Sequence, residues 1–141
     1  MSGATRYLEQ QVINNYLTNQ TTFVALFSTA PSNDPDPTNQ ITGDEYSPVE
    51  ISAGTFSEIQ TNGSLGNPTK LENTSIVNMG KLDTASSVTV QGVVIYDGVD
   101  PSTSNALFTS DTDQAGNSLS VTVDAGDKLE FESGGITFQI G

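Results

Sequence analysis

The sequence SSVTVQGVVIYD, residues 86–97, decides the fold of this chain. Read with the two-residue period of a β-strand, one face carries four apolar side chains, Val88, Val90, Val94 and Tyr96. The opposite face changes from Thr89 and Gln91 to Val93 and Ile95. A strand that becomes apolar on both faces must be covered on both sides, so the pattern predicts a central strand. At about 3.3 Å per residue the run is long, and Gly92 is the predicted site of a bulge or bend.

Other short apolar runs predict the strands around this one. Residues 22–28, TFVALFS, are apolar on both faces and are the expected neighbour of the strand that ends at Tyr96. Residues 46–51 predict an edge strand or a bulged one, because Pro48 interrupts them. Further strands are expected at residues 56–59, 75–79 and 106–109. The three prolines of residues 30–39 predict a long exposed loop, since proline cannot donate a ladder hydrogen bond.

The last 24 residues alternate clearly between apolar and polar side chains. Three apolar sets follow one another, Leu119, Val121 and Val123, then Leu129 and Phe131, then Ile136, Phe138 and Ile140. Turn sequences at residues 124–127 and 133–135 separate them. The pattern predicts a three-stranded antiparallel meander with one buried face. In total we expect a mainly β protein, an antiparallel β-sandwich of about eight strands with one N-terminal α-helix.

That helix is expected over residues 5–17. Its apolar stripe consists of Leu8, Val12, Ile13, Tyr16 and Leu17. Thr5 is a suitable N-cap, and Glu9 lies near the positive end of the helix dipole. A helix of this length is marginal alone, so the stripe must pack on something. We therefore divide the chain into a helical arm, residues 1–20, and a single β-sandwich domain, residues 21–141, and take the stripe as a candidate assembly contact. It either covers its own sandwich or contacts a neighbouring subunit.

Charge restricts the classes of partner. The chain carries 4 basic and 17 acidic residues, a formal net charge of −13. This disfavours binding to nucleic acid or to an anionic membrane, and it favours solubility, with docking onto a basic partner as the alternative. We expect neither a membrane span nor a secretion signal. Three Asn-x-Ser/Thr sequences are accordingly read as chance matches, at Asn19, Asn62 and Asn73.

Catalytic groups are scarce. The chain has no histidine and no cysteine, which removes the commonest general base and the usual zinc ligands. Two carboxylate pairs could in principle hydrolyse a glycoside, Asp44 with Glu45 and Glu130 with Glu132, but such residues are more typical of a solvated surface. We expect no enzyme activity and no cofactor.

One segment resembles the beginning of a calcium-binding loop. Residues 111–116 read DTDQAG, but Ala115 stands where a ligand is needed, and Thr122 occupies the twelfth position in place of glutamate. A polar turn between two strands explains the segment equally well. We expect no tightly bound metal, and weak calcium binding at Asp111 and Asp113 stays open.

The order of several short motifs along the chain resembles a known family. The motifs are Tyr7-Leu-Glu9, residues 24–27 (VALF), Thr29-Ala-Pro31, residues 43–46 (GDEY) leading to Val49, residues 94–97 (VIYD), residues 106–108 (ALF), and the closing set Val123, Gly126, Asp127, Leu129, Phe131, Gly134 and Ile136. Together they resemble small tailed-bacteriophage structural proteins usually labelled tail fibre proteins, some of which decorate the capsid. The chain is poorer in alanine and more acidic than that family.

The resemblance implies a virion component made in the host cytoplasm. Its implied partners are copies of itself and other virion proteins, the major capsid protein among them, with no nucleic acid and no membrane. A fibre needs length from coiled coil or repeats, and the sequence contains neither. We therefore favour a capsid decoration (cement) protein. The alternatives are a tail-fibre or tail-associated receptor-binding module and a small carbohydrate-binding β module.

Overall fold

The computed structural model describes residues 5–43, 46–52, 56–60, 69–82, 86–113 and 115–140. The helix α1, Arg6–Ile13, continues as a π-helical turn, Asn14–Thr18, and a 3-10 turn forms at Pro37–Asn39. The described residues form eleven strands: β1 Thr22–Phe27, β2 Val49–Ile51, β3 Phe56–Gln60, β4 Thr69–Asn73, β5 Val77–Lys81, β6 Val88–Val90, β7 Gly92–Tyr96, β8 Ala106–Ser110, β9 Val121–Val123, β10 Lys128–Phe131 and β11 Thr137–Ile140.

The strands form antiparallel sheets around one main core. The largest sheet has the order β2-β1-β7-β8, and the smaller ones pair β11-β4-β3, β10-β5 and β6-β9. The main core takes side chains from all four sheets, including Leu26, Leu71, Met79 and Val123. The expected mainly β fold with one short N-terminal helix is confirmed, with more and shorter strands than the eight predicted.

The strand β7 is central, as its sequence predicts. It lies between β1 and β8, and all five of its residues are buried. Val93 and Ile95 face the main core, whereas Val94 and Tyr96 pack with Ala25 and Phe27 in a second cluster on the opposite face of the sheet. The predicted pairing of residues 22–28 with this strand is also confirmed, because Phe23 to Phe27 of β1 pair with Tyr96 to Gly92.

The long apolar run breaks where Gly92 predicted a bend. β6 ends at Val90 and pairs with β9, whereas β7 begins at Gly92 and belongs to the large sheet. The alternation changes phase across the break, so the prediction that Val90 shares a face with Val94 is wrong. Val90 joins Val93 and Ile95 in the main core. The chain leaves one sheet at Val90 and enters another at Gly92. A single alternation of faces carried through both strands therefore assigns Val90 to the wrong side.

Gly92 also makes room for the proline-rich loop. A Cβ at this position would overlap the Cδ of Pro31 and lie 3.1 Å from the carbonyl oxygen of Thr29. The end of the loop returns to β1, where the Ile41 N–H donates to the Leu26 carbonyl at 2.8 Å and Ser28 N–H donates to Asn39 at 3.0 Å. The loop is largely exposed, as expected, but Pro35 is buried.

The predicted C-terminal meander is wrong. β9, β10 and β11 are antiparallel strands, but they pair with β6, β5 and β4 in three different sheets. The two connecting turns bind other strands rather than closing hairpins. At the first turn, Leu82 N–H donates to the Asp127 carbonyl at 2.8 Å, and Gly126 N–H, at a φ of 85°, donates to the Leu82 carbonyl.

At the second turn, the side chain of Asn73 holds the chain in place. Asn73 is fully buried at the end of β4. Its Nδ2 donates to the carbonyl oxygens of Ser75 at 2.8 Å and Glu132 at 2.9 Å, and its Oδ1 accepts from the Ile136 N–H at 2.9 Å. The Gly134 N–H donates to the Asn73 carbonyl at 2.8 Å. The Asn-x-Ser sequence here therefore contains a structural asparagine, and its amide nitrogen is not accessible to glycosylation in the folded protein.

Two tyrosine hydroxyls are buried without a hydrogen-bond partner among the described residues, those of Tyr46 and Tyr96. Their rings are 1% and 2% exposed. Burial raises the pKa of both phenols, and the negative charges of Asp127 near Tyr46 and of Asp34 near Tyr96 raise each pKa further.

We expect Val94→Asp to prevent stable folding. Val94 has no solvent-exposed surface, and a carboxylate there would lose its hydration without gaining a partner. The expected loss is several kcal/mol, a large part of the roughly 5–15 kcal/mol of a typical domain. Thr89→Asp is the control, because Thr89 is half-buried and its hydroxyl bonds the Thr122 hydroxyl at 3.1 Å. Urea unfolding followed by circular dichroism tests this, and a cooperative Val94→Asp transition at the parent midpoint would contradict the central-strand assignment.

We expect Asn73→Ala to destabilise the protein by roughly 2–4 kcal/mol, since it removes one buried and two partly buried hydrogen bonds to the backbone. Asn78→Ala is the matched control. Asn78 is exposed, and its Oδ1 accepts from the Gly80 N–H at 2.9 Å, so a loss of about 1 kcal/mol or less is expected. Equal denaturant midpoints for the two variants would show that Asn73 does not hold the second turn.

We expect stability to fall in alkali because of Tyr46 and Tyr96. A raised folded-state pKa means that their contribution is complete below the ordinary tyrosine pKa of about 10 and is lost as the pH rises through the higher folded value. Replacing both by phenylalanine should reduce this alkaline loss and cost little at neutral pH, because neither hydroxyl bonds a described residue. The check is the melting temperature between neutral pH and about pH 11. An unchanged alkaline decrease in the double variant would rule these residues out as its cause.

Candidate assembly surface

The N-terminal helix begins at a side-chain cap, as predicted. Thr5 has extended backbone angles, its Oγ1 accepts from the Leu8 N–H at 3.3 Å, and its carbonyl accepts from the Glu9 N–H at 3.0 Å. The helix ends in a π-helical turn, closed by the Asn19 N–H donating to the Asn14 carbonyl at 3.1 Å. The helical segment therefore covers the predicted residues 5–17 with a change of winding after Ile13.

One row of this helix faces the protein. Glu9, Ile13 and Leu17 follow one another at four-residue intervals, and all three are buried. Ile13 and Leu17 belong to the main core, so the helix covers part of the sandwich. The burial of Glu9 was not expected, because a glutamate in the first turn is usually solvated.

A second row of the same helix faces outward. Leu8, Val12 and Tyr16 also follow at four-residue intervals, and we call them the outer row. Leu8 is 53% exposed and Tyr16 is 43% exposed, while Val12 is half-buried. Tyr7, beside the outer row, is 74% exposed. Large apolar side chains exposed at adjacent positions are typical of an interaction surface.

The structure thus divides the five predicted contact residues into two groups. Ile13 and Leu17 pack inside the protein, and the outer row remains available to a partner. The sequence reasoning treated all five as one stripe and missed Tyr7. Glu9, which hydrophobicity assigns to the solvent, is buried in place of Leu8, and no sequence signal pointed to this exchange. The division of the chain at residue 20 stays a prediction.

The helix lies in the electrically neutral part of a strongly acidic chain. Residues 1–33 contain one basic and one acidic residue, Arg6 and Glu9. The whole net charge of −13 therefore comes from residues 34–141. The residues that neighbour the outer row in sequence therefore add no net charge to it.

Several of the acidic residues elsewhere stabilise turns. Asp36 caps the 3-10 turn by accepting from the N–H and hydroxyl of Thr38 at 3.0 and 2.8 Å, and these hydrogen bonds lower its pKa. Asp97 accepts from the backbone N–H and the Nδ2 of Asn105, both at 2.8 Å. These two carboxylates therefore stabilise local turns of the protein.

The segment that resembles a calcium loop is also a turn. The Oδ1 of Asp113 accepts from the N–H groups of Ala115 and Asn117, both at 2.9 Å, and Thr112 bridges to Ser118. Within the described ranges, no group of three or more acidic side chains is positioned to hold a metal ion.

The carboxylate pairs considered for catalysis are not brought to a pocket by any described contact. Glu130 is exposed and forms an ion pair with Lys128 at 2.7 Å. Glu132 is exposed at the second turn, and Asp44 and Glu45 lie outside the described residues.

An open groove runs between the edge strand β2 and the beginning of β5. Residues 49–52 and 75–78 line it, and its volume is about 270 Å³. Ile76 on its rim is 61% exposed. The volume is slightly below that of usual ligand pockets, about 300–1,000 Å³, and its lining offers one charged group, Glu50.

Among the described segments, no helix has the length and apolar character needed to cross a bilayer.

Comparison with known proteins agrees with the resemblance seen in the motifs. A comparison with curated protein sequences gave no match. A family model described as Podophage GP4 fiber I protein gp80 matches residues 3–139. The match extends from the N-terminal helix into β11 and so includes the outer row and all four sheets. The chain therefore belongs to the Podophage GP4 fiber I protein gp80 family, a family of phage tail fibre-type proteins.

Proposed function

We propose that this phage structural protein is a subunit that joins the particle through protein–protein contacts made by the outer row. The observation that carries the proposal is the division of the helix. Ile13 and Leu17 anchor it in the core, yet Leu8 and Tyr16 stay exposed on its other side. A helix needed only as a cover for the sandwich gains nothing from exposed leucine and tyrosine side chains, whereas an assembly contact requires them.

The proposed role is binding without catalysis. The chain lacks histidine and cysteine, and several described carboxylates cap turns or pair with lysine. The partners we propose are further copies of the protein and other virion proteins. The acidic surface of residues 34–141 argues against a nucleic-acid partner, because it would repel phosphates.

Two places on the particle are consistent with this role. The first is the capsid surface, where a decoration protein would bind the major capsid protein. Two observations support the capsid surface. The described residues form sheets around one main core, a form suited to covering a lattice. The sequence also has no coiled coil or repeat to supply the length of a fibre.

The second place is the tail. It is favoured by membership of the Podophage GP4 fiber I protein gp80 family. In that case the domain would be a module of a larger fibre or of its attachment to the tail, and receptor binding would be its activity. Electron microscopy of virions labelled with gold-conjugated antibody to this protein distinguishes the two, since the label falls on the capsid in one case and on the tail in the other.

We expect the double variant Leu8→Ser/Tyr16→Ser to fold normally but to be depleted from virions. Both side chains are exposed, so their truncation should change stability by about 0.5 kcal/mol or less, whereas loss of two apolar contacts should weaken attachment severely. The measurement is copy number per particle after complementation of a phage that lacks this gene, alongside the melting temperature of the pure protein.

Val99→Ser is the matched control, because Val99 is 60% exposed but lies in the turn between β7 and β8. Its virion occupancy should equal that of the parent. Full occupancy of the Leu8→Ser/Tyr16→Ser variant would refute the role of the outer row, whether the particle carries the protein on its capsid or on its tail.

A further inference from the structure

We propose that residues 30–38, within the proline-rich loop, form a lid that opens from one face of the β2-β1-β7-β8 sheet while the rest of the domain stays folded. We call this segment the loop lid. Its opening exposes the second cluster, Ala25, Phe27, Val94 and Tyr96, to solvent and to other molecules. The inference does not depend on the role proposed for the outer row, because it concerns a different set of residues.

The loop lid lies against this face at both ends of β7. Pro31 fits against Gly92 at the beginning of the strand, where a Cβ would overlap the proline ring. Asp34 lies near Tyr96 at the end of the strand, close enough for its negative charge to raise the pKa of the phenol. Pro35, the next residue of the loop, is buried. The loop lid therefore follows the strand and covers the second cluster.

Packing, rather than hydrogen bonding, holds the loop lid closed. Among the described residues, the hydrogen bonds made by residues 30–38 stay within residues 30–40. They include the Ser32 hydroxyl donating to the Asp34 carbonyl at 2.8 Å and the Thr38 N–H donating to Asp36 at 3.0 Å. Three prolines stiffen the same segment. The loop lid can consequently move as one body without breaking any of these bonds.

The two ends of the loop supply the hinge. The Ser28 N–H and hydroxyl both donate to the Asn39 carbonyl, at 3.0 and 3.1 Å, and the Ile41 N–H donates to the Leu26 carbonyl at 2.8 Å. These bonds close the base of the loop and remain intact when the segment beyond them moves. A segment with few contacts to the rest of a protein opens at a lower free energy than the whole domain unfolds.

Closure of the loop lid also leaves one polar group unsatisfied. The Tyr96 hydroxyl is buried and bonds no described residue. It has therefore lost its hydration without a replacement, and opening returns it to water. This gain offsets part of the cost of exposing Phe27 and Val94, whose burial keeps the loop lid closed for most of the time.

Adjacent cysteines on β7 distinguish opening of the loop lid from movement of the strand, because the chain has no cysteine of its own. Val94→Cys places a thiol in the second cluster, and Val93→Cys, the matched control, places one in the main core. Opening of the strand itself would expose both thiols to a maleimide. Opening of the loop lid exposes only the thiol at position 94, so we expect it to react about tenfold faster or more in the folded protein.

Urea well below the unfolding midpoint provides the second measurement on the same variants. The rate for Val94→Cys should change little with urea, because opening the loop lid exposes little surface. The rate for Val93→Cys should rise steeply, since its thiol reacts only when the domain unfolds. Equal rates with the same dependence on urea would overturn the proposal.

Nitration tests the protein without any substitution. Tyr96 and Tyr46 are both buried without a described hydrogen-bond partner, but Tyr46 belongs to the main core. Tetranitromethane should modify Tyr96 about tenfold faster than Tyr46 in the folded protein, as located by mass spectrometry of peptides. This result would support the loop lid even if Val94→Cys fails to fold, whereas equal protection of the two tyrosines would overturn it.

Discussion

The fold depends on the burial of both faces of β7. A strand with Val93 and Ile95 on one side and Val94 and Tyr96 on the other needs two separate apolar layers. The main core supplies the first. The second cluster lies on the opposite face, where Pro31 of the proline-rich loop packs against Gly92. The backbone hydrogen bonds that join the end of this loop to β1 contribute to the burial of β7, because they hold the loop near its outer face.

Short strands in several small sheets need specific polar contacts at their corners. Strands of three to five residues provide few ladder hydrogen bonds, and each turn between β9, β10 and β11 moves the chain into a different sheet. Asn73 satisfies three backbone groups at one of these turns from a position where an apolar side chain would otherwise be expected. Leu71 and Asn73 share the buried face of β4, so an amide occupies a core position in order to fix the path of the backbone.

The separation of charge connects this architecture to the proposed role. Many acidic side chains favour the solubility of a protein, but they also oppose assembly with other molecules of the same charge. Because the net charge is confined to residues 34–141, the helix carries no net charge of its own. The helix is held to the core by only part of its apolar side chains, Ile13 and Leu17, while in the proposed function the outer row makes the contact with a partner.

The sequence by itself determined the class of the fold and most of its elements. Alternating and doubly apolar runs identify β1, β7, β8 and the three last strands, because side-chain periodicity is a local property of the backbone. The strand β4 was missed, since Leu71 is its one large apolar residue between Lys70 and Glu72. The N-cap at Thr5 and the break at Gly92 were also local and readable.

Tertiary structure alone decided which strands pair and which side of the helix stays exposed. Pairing partners depend on where a turn directs the chain, and the turns here bind Leu82 and Asn73, which are far away in sequence. The burial of Glu9 in place of Leu8 could not be read from hydrophobicity, because it reflects the local environment beneath the helix rather than the preference of either residue. The outer row is exposed because the neighbouring row, Glu9, Ile13 and Leu17, is the one that packs against the rest of the protein.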